Sequence, residues 1–346
     1  LDGYAVVAAD IASAAPDAPV KLQVVDKLWA GMPARTGVER GQAVRLMTGC
    51  MLPLGADAVI RQEDTDMGCE IVQIFRPVGV GKNVCYRGEE YGLDALLLKK
   101  GSRIDAAGAA VAAGAGFTHL PVRRRARAVI LTTGDEVCQP GTVLPAGKIY
   151  DSNTAYLTAR LHQLGVETMA VLSQGDDLES LAADLRRYAG EADLILTTGG
   201  VSVGEKDLME QAARAAGAEV IFHGIAMKPG MPTLFAVLGN ARLLGLSGNP
   251  FSAAVPFELL RPMLARMTED PELELRADVA VAAQGFGKAS PTRRFLRAFC
   301  KQGQVYPPEA QSNGQMRSMI GCNCLIDVPA GTGTICPGDQ IRILWL

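Results

Sequence analysis

Asp193-Leu194-Ile195-Leu196-Thr197-Thr198-Gly199-Gly200-Val201-Ser202-Val203-Gly204-Glu205-Lys206-Asp207 is the stretch whose reading decides the fold. A short apolar run stops at two threonines and a glycine pair, and a helical pattern over 207–216 follows. Strand, glycine loop and helix in that order make one step of an α/β repeat. The step recurs to either side. Residues 128–131 form a buried-strand run ending in Thr132-Thr133-Gly134-Asp135-Glu136, and 153–164 place Leu157, Leu161 and Leu164 on one helical face. Residues 166–172 read as a strand ending in Gln174-Gly175-Asp176-Asp177, after which Leu178, Leu181, Leu185 and Tyr188 keep a helical stripe. Short strands are expected at 220–222, 234–238 and 243–246, and a closing helix at 252–267. Strands alternating with helices predict a mainly parallel sheet with right-handed crossovers over 127–265.

Outward from this domain the pattern changes. The first hundred residues read as β structure and loops, with strand character at 20–28, 42–46, 58–62 and 70–75. An alanine- and glycine-rich stretch, 106–116, predicts a tightly packed helix. Pro121 and the cluster Arg123-Arg124-Arg125 with Arg127, a solvated linker face, mark the boundary. After Pro271 short strands alternate with Gly, Pro and Asn turns, as in a small all-β domain.

A chain of 346 residues has room for more than one domain. Its formal net charge of −3 gives no electrostatic reason to expect nucleic acid. The eight cysteines include no C-x-x-C pair, and the three histidines have no zinc-ligand spacing, so free thiols of a reducing cytosol are expected. No apolar run reaches transmembrane length and no signal peptide opens the chain, so no membrane role is expected. The chain starts at Leu1-Asp2-Gly3-Tyr4 without Met, which points to a preceding N-terminal piece.

Open parallel sheets bind ligands beyond the carboxyl ends of their strands. Three such ends here are glycine-marked and one is acidic. At Gly199, Gly200, Val201, Ser202 and Gly204 the backbone can approach a ligand, and amides at the next helix start suit a phosphate. Ser247-Gly248-Asn249-Pro250 with Ser252, and Thr133-Gly134-Asp135-Glu136, offer the same chemistry or serve only as turns. Asp176 with Glu179 has the spacing of a capping box. Alternatively, Asp135, Glu136, Asp176, Asp177, Glu205 and Asp207 supply oxygen ligands to a hard cation such as Mg²⁺. Lys228, fixed between turn residues, either meets an oxyanion or is a surface lysine. His223 by itself reads as structural.

These motifs lie in a larger set. Asp2-Gly3-Tyr4-Ala5, then Arg45-Leu46-Met47-Thr48-Gly49 running into Leu52-Pro53-Leu54-Gly55-Ala56-Asp57-Ala58-Val59 and Gln62-Glu63, precede Gly81-Lys82-Asn83 and Arg87-Gly88-Glu89-Glu90. Asp151-Ser152-Asn153, Lys228-Pro229-Gly230 and Gly248-Asn249-Pro250 follow. With them the whole chain resembles the molybdopterin molybdenumtransferases, the MoeA family that includes the E domain of gephyrin. The resemblance implies a multidomain α/β-plus-β fold: a central MogA-like α/β domain at 126–268, an inserted β domain at 6–92, a C-terminal β-barrel at 269–346, and a mixed extended domain from 1–5 with 93–125. It implies an elongated homodimer in the cytoplasm, and Mg²⁺-assisted insertion of molybdenum from molybdate into adenylylated molybdopterin with release of AMP. Molybdopterin adenylyltransferase and molybdenum enzymes are the implied partners.

By motif match, Asp207, Asp176, Glu136 and Lys228 line the nucleotide, metal and oxyanion sites, with Glu136, Asp176 and Asp207 on the metal. Ser247, Asn249 and Ser252 sit near molybdate or phosphate, Asp2 and Thr48 reach the cleft from the second subunit, and Arg297 contributes from the barrel. Met231 and Gly224 stand where lysines are frequent, which keeps a non-catalytic pterin-binding or scaffold paralogue open; adenylyl transfer to molybdopterin is a further alternative.

Overall fold

The computed structural model describes residues 1–202, 208–287 and 289–346. It contains two compact units, Leu1–Lys99 and Lys100–Leu346.

The first unit is built on a five-stranded sheet in the order Ala58–Arg61, Gly3–Val6, Gln42–Leu46, Val20–Leu28, Ile71–Ile74. Its strand pairs are antiparallel except Val20–Leu28 with Gln42–Leu46. Gly3–Val6 is a strand that the sequence reading, with strand character at 20–28, 42–46, 58–62 and 70–75, did not include. It pairs on both sides, and its alternating side chains enter two cores: Tyr4 and Val6 join Ile11, Leu22 and Ile60, while Ala5 joins Leu28, Val44 and Val59. A four-residue strand buried on both faces shows no polar alternation to detect.

The second unit carries the α/β sheet, in the order Glu219–His223, Leu234–Leu238, Ala241–Leu246, Leu194–Thr198, Arg127–Thr133, Glu167–Gln174. The last four are mutually parallel, Leu234–Leu238 runs antiparallel to both of its neighbours, and Glu219–His223 therefore points the same way as the last four. Period-two alternation sorts the strand residues between two helical layers. Val129, Leu131, Ile195 and Leu243 pack against Leu178–Tyr188 and Met209–Ala215. Ile130, Leu196, Leu244 and Leu246 pack against Ser152–Gln163, Pro250–Leu259 and Arg261–Thr268.

The helices differ from expectation in three places. The helix expected at 252–267 is two helices that break at Leu260. Pro262, within the first turn of the second helix, has no N–H to continue the ladder and its ring crowds the carbonyl one turn back. The helix expected at 207–216 spans Met209–Ala215, and Asp207 lies outside the described residues. Ala106–Gly114 is a helix capped by Asp105, but only Gly108 and Ala112 are buried, so it is not tightly packed.

At the C-terminus, Arg293–Lys301, Gln304–Tyr306, Ala277–Ala282, Gln340–Trp345 and Cys324–Val328 close into a five-stranded barrel through pairing of the first with the last. Met227–Lys228 adds a short parallel strand on Arg293–Lys301. A buried cluster ties barrel to sheet domain. Glu258, fully buried, accepts from Tyr156 Oη (2.9 Å) and from Arg160 Nε and Nη2 (2.7 and 2.8 Å). Arg261 lies 3.8 Å from the same carboxylate and donates to the backbone carbonyls of Leu273 and Trp345. All eight cysteines are free thiols.

Candidate active site

The site grows from the carboxyl ends of the parallel strands. Leu194–Thr198 runs into Gly199 and Gly200, both at positive φ (90° and 65°). A Cβ on Gly199 would collide with the Thr133 carbonyl of the neighbouring strand end, so the loop crosses there only as glycine. Gly199→Ala is expected to cost about 2 kcal/mol, combining left-handed strain with the collision. A urea unfolding curve checks this, and an unchanged midpoint would show that the loop relaxes freely.

Beyond these ends lies a cavity of about 700 Å³, within the range of small-molecule sites. Of the expected site residues, Thr133, Glu136, Gly199, Gly200 and Ser202 line it from two strand ends, Ser247, Gly248, Asn249, Pro250 and Ser252 from a third, and Lys228 from the strand on the barrel. Gly134, Asp135, Val201 and Asp176 do not line it. Val201 turns into the hydrophobic core (2% exposed), and Gly134 lies beneath the Glu136 carboxylate, where any Cβ would meet both carboxylate oxygens. Lys148 Nζ donates to the Asp135 carbonyl. Gly204 and Asp207 lie outside the described residues, as does Glu205.

The two adjacent aspartates separate cleanly. Asp177, not Asp176, caps the helix Leu178–Tyr188: its carboxylate accepts from Ser180 N at 2.8 Å, and the Ser180 contacts hold its pKa below the usual carboxylate range. The capping box expected for Asp176 with Glu179 is therefore one residue out of register. Asp176 instead accepts from Thr133 Oγ1 at 2.7 Å, which brings its carboxylate to a hydroxyl on the cavity wall. Among the described residues no three His, Cys, Asp or Glu side chains gather closely enough to hold a metal by themselves, so the expected Glu136, Asp176 and Asp207 set is not assembled within what is described.

Two helices open at the cavity. Ser152–Gln163 starts behind Asp151, whose Oδ1 accepts from Thr154 N (2.9 Å), and Asn153 Nδ2 donates to the Gly248 carbonyl (2.9 Å), fixing the Ser-Gly-Asn-Pro loop. Pro250–Leu259 starts at Asn249 with no side-chain cap. Pro250 has no N–H, and Phe251 N–H goes to the Asn313 carbonyl at 2.9 Å. An uncapped helix start concentrates positive potential where Ser247, Asn249 and Ser252 line the wall.

The sequence reading did not place Asp151, Ser152, Asn153 and Asn313 on this wall, nor Tyr150, Ile149 and Val137 at its apolar side. The helix-start pattern Asp-Ser-Asn could have pointed to the first three. Asn313 comes from a barrel loop with no local signal. Arg297 does not line the cavity. It is fully buried, stacked 3.8 Å over the Phe251 ring, and donates to the Ser312 carbonyl (2.6 Å) and the Gln315 carbonyl, so it holds the loop that carries Asn313. In the first unit, Asp2 Oδ1 accepts from Thr48 N (2.8 Å) and Oγ1 (2.9 Å), and these bonds depress the Asp2 pKa.

A doubly wound α/β domain with a cavity at its carboxyl edge and an uncapped helix start on the wall is the arrangement of a small-molecule-binding domain. Comparison with known proteins narrows the class. Residues 129–266 match the family model described as "Probable molybdopterin binding domain", 1–116 the "MoeA N-terminal region (domain I and II)" and 279–346 the "MoeA C-terminal region (domain IV)". The chain is 34% identical to molybdopterin molybdenumtransferase 2 of Mycobacterium tuberculosis, over 99% of this chain and 87% of that protein. It is 32% identical to the molybdopterin molybdenumtransferase of Staphylococcus aureus, over 99% and 83%. The crystal structure of the molybdopterin biosynthesis MoeA protein of Pyrococcus horikoshii superposes with a TM-score of 0.83 at 29% identity, covering 100% of this chain and 86% of that one. The chain belongs to the molybdopterin molybdenumtransferase family, the transferases of molybdenum cofactor biosynthesis.

Proposed function

We propose that the protein inserts molybdenum from molybdate into adenylylated molybdopterin and releases AMP. The observation that carries this reading is the uncapped start of Pro250–Leu259 on the same cavity as Glu136 and the Thr133 hydroxyl that holds Asp176. The helix start suits an oxyanion, and the carboxylate side suits a hard cation. Mg²⁺ is held by one or two carboxylates, retained waters and substrate phosphates rather than by an all-protein cage. The residues present fit that mode: Glu136 and Asp176 would hold the ion, with Asp207 as the further expected ligand outside the described residues. When bound, the ion would neutralise phosphate charge and polarise the phosphoryl group that is cleaved.

The chain's own residues have separate tasks in this reading. Ser247, Asn249 and Ser252 orient an oxyanion at the helix start, Lys228 adds a compact positive charge, and Gly199 and Gly200 let the backbone approach the phosphates. The apolar side, with Tyr150, Ile149 and Val137, offers a face for a planar ring. Water cleaves the phosphoanhydride link, leaving one phosphate on the pterin and the other on the departing AMP, while the two dithiolene sulfurs replace two oxygens of molybdate, which take up protons and leave as water with no change in the oxidation state of molybdenum. The proposal extends to a cytoplasmic homodimer in which a second copy supplies Asp2 and Thr48. A molybdopterin adenylyltransferase would supply the substrate, and molybdenum enzymes would receive the product.

One observation favours a second reading, a pterin-holding paralogue without turnover. Among the described residues Lys228 is the only lysine or arginine on the cavity wall, and Met231 (55% exposed) lines it instead of another cation. The test is to give purified protein adenylylated molybdopterin, molybdate and Mg²⁺ and to measure AMP by chromatography. Release that rises with molybdate and stops on chelation of the metal is expected. Tight substrate binding without release would favour the paralogue, and incorporation of AMP from ATP would favour adenylyl transfer.

A further inference from the structure

His223 ends the strand Glu219–His223 and does not line the cavity, yet both of its ring nitrogens are engaged. Nε2 lies 2.7 Å from the carbonyl oxygen of Val201, and Nδ1 lies 2.5 Å from Oε2 of Glu210. A carbonyl can only accept, so Nε2 carries a proton. Independently of His223, Arg214 Nε and Nη2 donate to the other oxygen of the Glu210 carboxylate (3.1 and 2.8 Å), which stabilises its ionised form. An ionised carboxylate also only accepts, so Nδ1 carries a proton as well. With Glu210 ionised, these contacts are those of an imidazolium.

What the ring holds is part of the site. Val201 is anchored in the core by its side chain, while its neighbours Gly199, Gly200 and Ser202 line the cavity. The Val201 carbonyl is thus a second point where the glycine loop is fastened to the helix Met209–Ala215, through His223 and Glu210, beside the direct bond from Met209 N–H to the Gly200 carbonyl (3.0 Å). Among the described residues, the charged groups around the ring are Glu210 and, through it, Arg214, both from that helix. The adjacent strand places Leu234 opposite His223 and brings no charge. Segment 203–207, with Glu205, Lys206 and Asp207, lies outside the described residues.

We propose that His223 is a positioning residue: as an imidazolium bridging the Val201 carbonyl and the Glu210 carboxylate, it fixes the glycine loop that receives the phosphates of the substrate. The role in turnover rests on the transfer reading above; the protonation state does not. Two measurements separate them. In protein labelled with ¹⁵N-histidine, both His223 ring nitrogens should resonate as protonated at pH 7, and Glu210→Gln should shift one toward the unprotonated range. In the AMP-release assay, His223→Phe keeps the ring's bulk without its donors. It should raise KM roughly tenfold, about 1.4 kcal/mol of loop positioning, with kcat within about twofold. Glu210→Gln, which keeps a carbonyl acceptor, should raise KM less and carries the test if His223→Phe does not fold. An unprotonated ring nitrogen in the wild type at pH 7 would overturn the proposal, as would an unchanged KM in both variants. No AMP release by the wild type would sink the transfer reading alone, and the nitrogen shifts would still decide the state of the ring.

Discussion

Replacing Asp176 by asparagine is expected to lower AMP release on the order of a hundredfold, the scale seen when a ligand or its support is removed from a metal site. Stability should change little. Asparagine keeps an oxygen that accepts from Thr133 Oγ1, the contact that Asp176 makes now at 2.7 Å. What is lost is one negative charge at the cavity edge. The adjacent Asp177 gives the matched control. It caps Leu178–Tyr188 by accepting from Ser180 N, so Asp177→Ala should lose about 1 kcal/mol of stability and retain turnover per folded molecule. Parallel melting curves and AMP assays on the two variants decide the matter. If Asp176→Asn turned over normally, the acidic edge would be structural; if Asp177→Ala lost turnover without losing stability, the two roles would be exchanged.

Glu258→Ala is expected to have the largest effect on folding, about 3–5 kcal/mol. Glu258 is fully buried and takes three hydrogen bonds, one from Tyr156 and two from Arg160, with Arg261 close by. Truncation leaves Arg160, with a side chain only 17% exposed, and Arg261 facing each other without their shared carboxylate. Burial already pushes the Arg261 pKa down, and the nearby Glu258 offsets this, so removing Glu258 deepens the cost. Tyr156 Oη loses its acceptor too. Denaturant unfolding of variant and wild type measures the difference. A loss below about 1 kcal/mol would mean that water or local repacking satisfies the arginines. None of Tyr156, Arg160, Glu258 and Arg261 lines the cavity, so the folded fraction should keep its turnover.

The parallel sheet was legible because its strands are short apolar runs closed by glycine or small polar residues, and the helices Ser152–Gln163 and Leu178–Tyr188 show a leucine stripe. Leu194–Thr198 ending in Gly199-Gly200 is the clearest case, since the tight passage beside Thr133 admits only glycine. Local pattern could not reveal what depends on distant partners. Gly3–Val6 is buried on both sides by strands about 40 and 55 residues away in the chain, so it has no alternation of its own. The break at Leu260 was visible as Pro262 but was overridden by the apolar pattern running across it. At the site, the glycine loops, Glu136, Lys228 and the Ser247–Ser252 segment came from motif and strand-end reasoning. Asp176 was ambiguous by spacing, because Asp176 and Asp177 both precede the helix and only the hydrogen bond to Ser180 tells which one caps it. Asn313 and the holding role of Arg297 needed the barrel's tertiary contacts with Phe251. The bridge made by His223 also needs three elements at once, which is why the residue read as structural.

The most direct test of the central claim is the stoichiometry of the products. Protein, adenylylated molybdopterin, Mg²⁺ and molybdate would be allowed a single turnover, with AMP measured by chromatography and pterin-bound molybdenum by mass spectrometry of the isolated cofactor. The account predicts that molybdenum appears on the pterin in step with AMP, and that withholding molybdate suppresses both. AMP released at the same rate without molybdate, leaving a metal-free pterin, would contradict it.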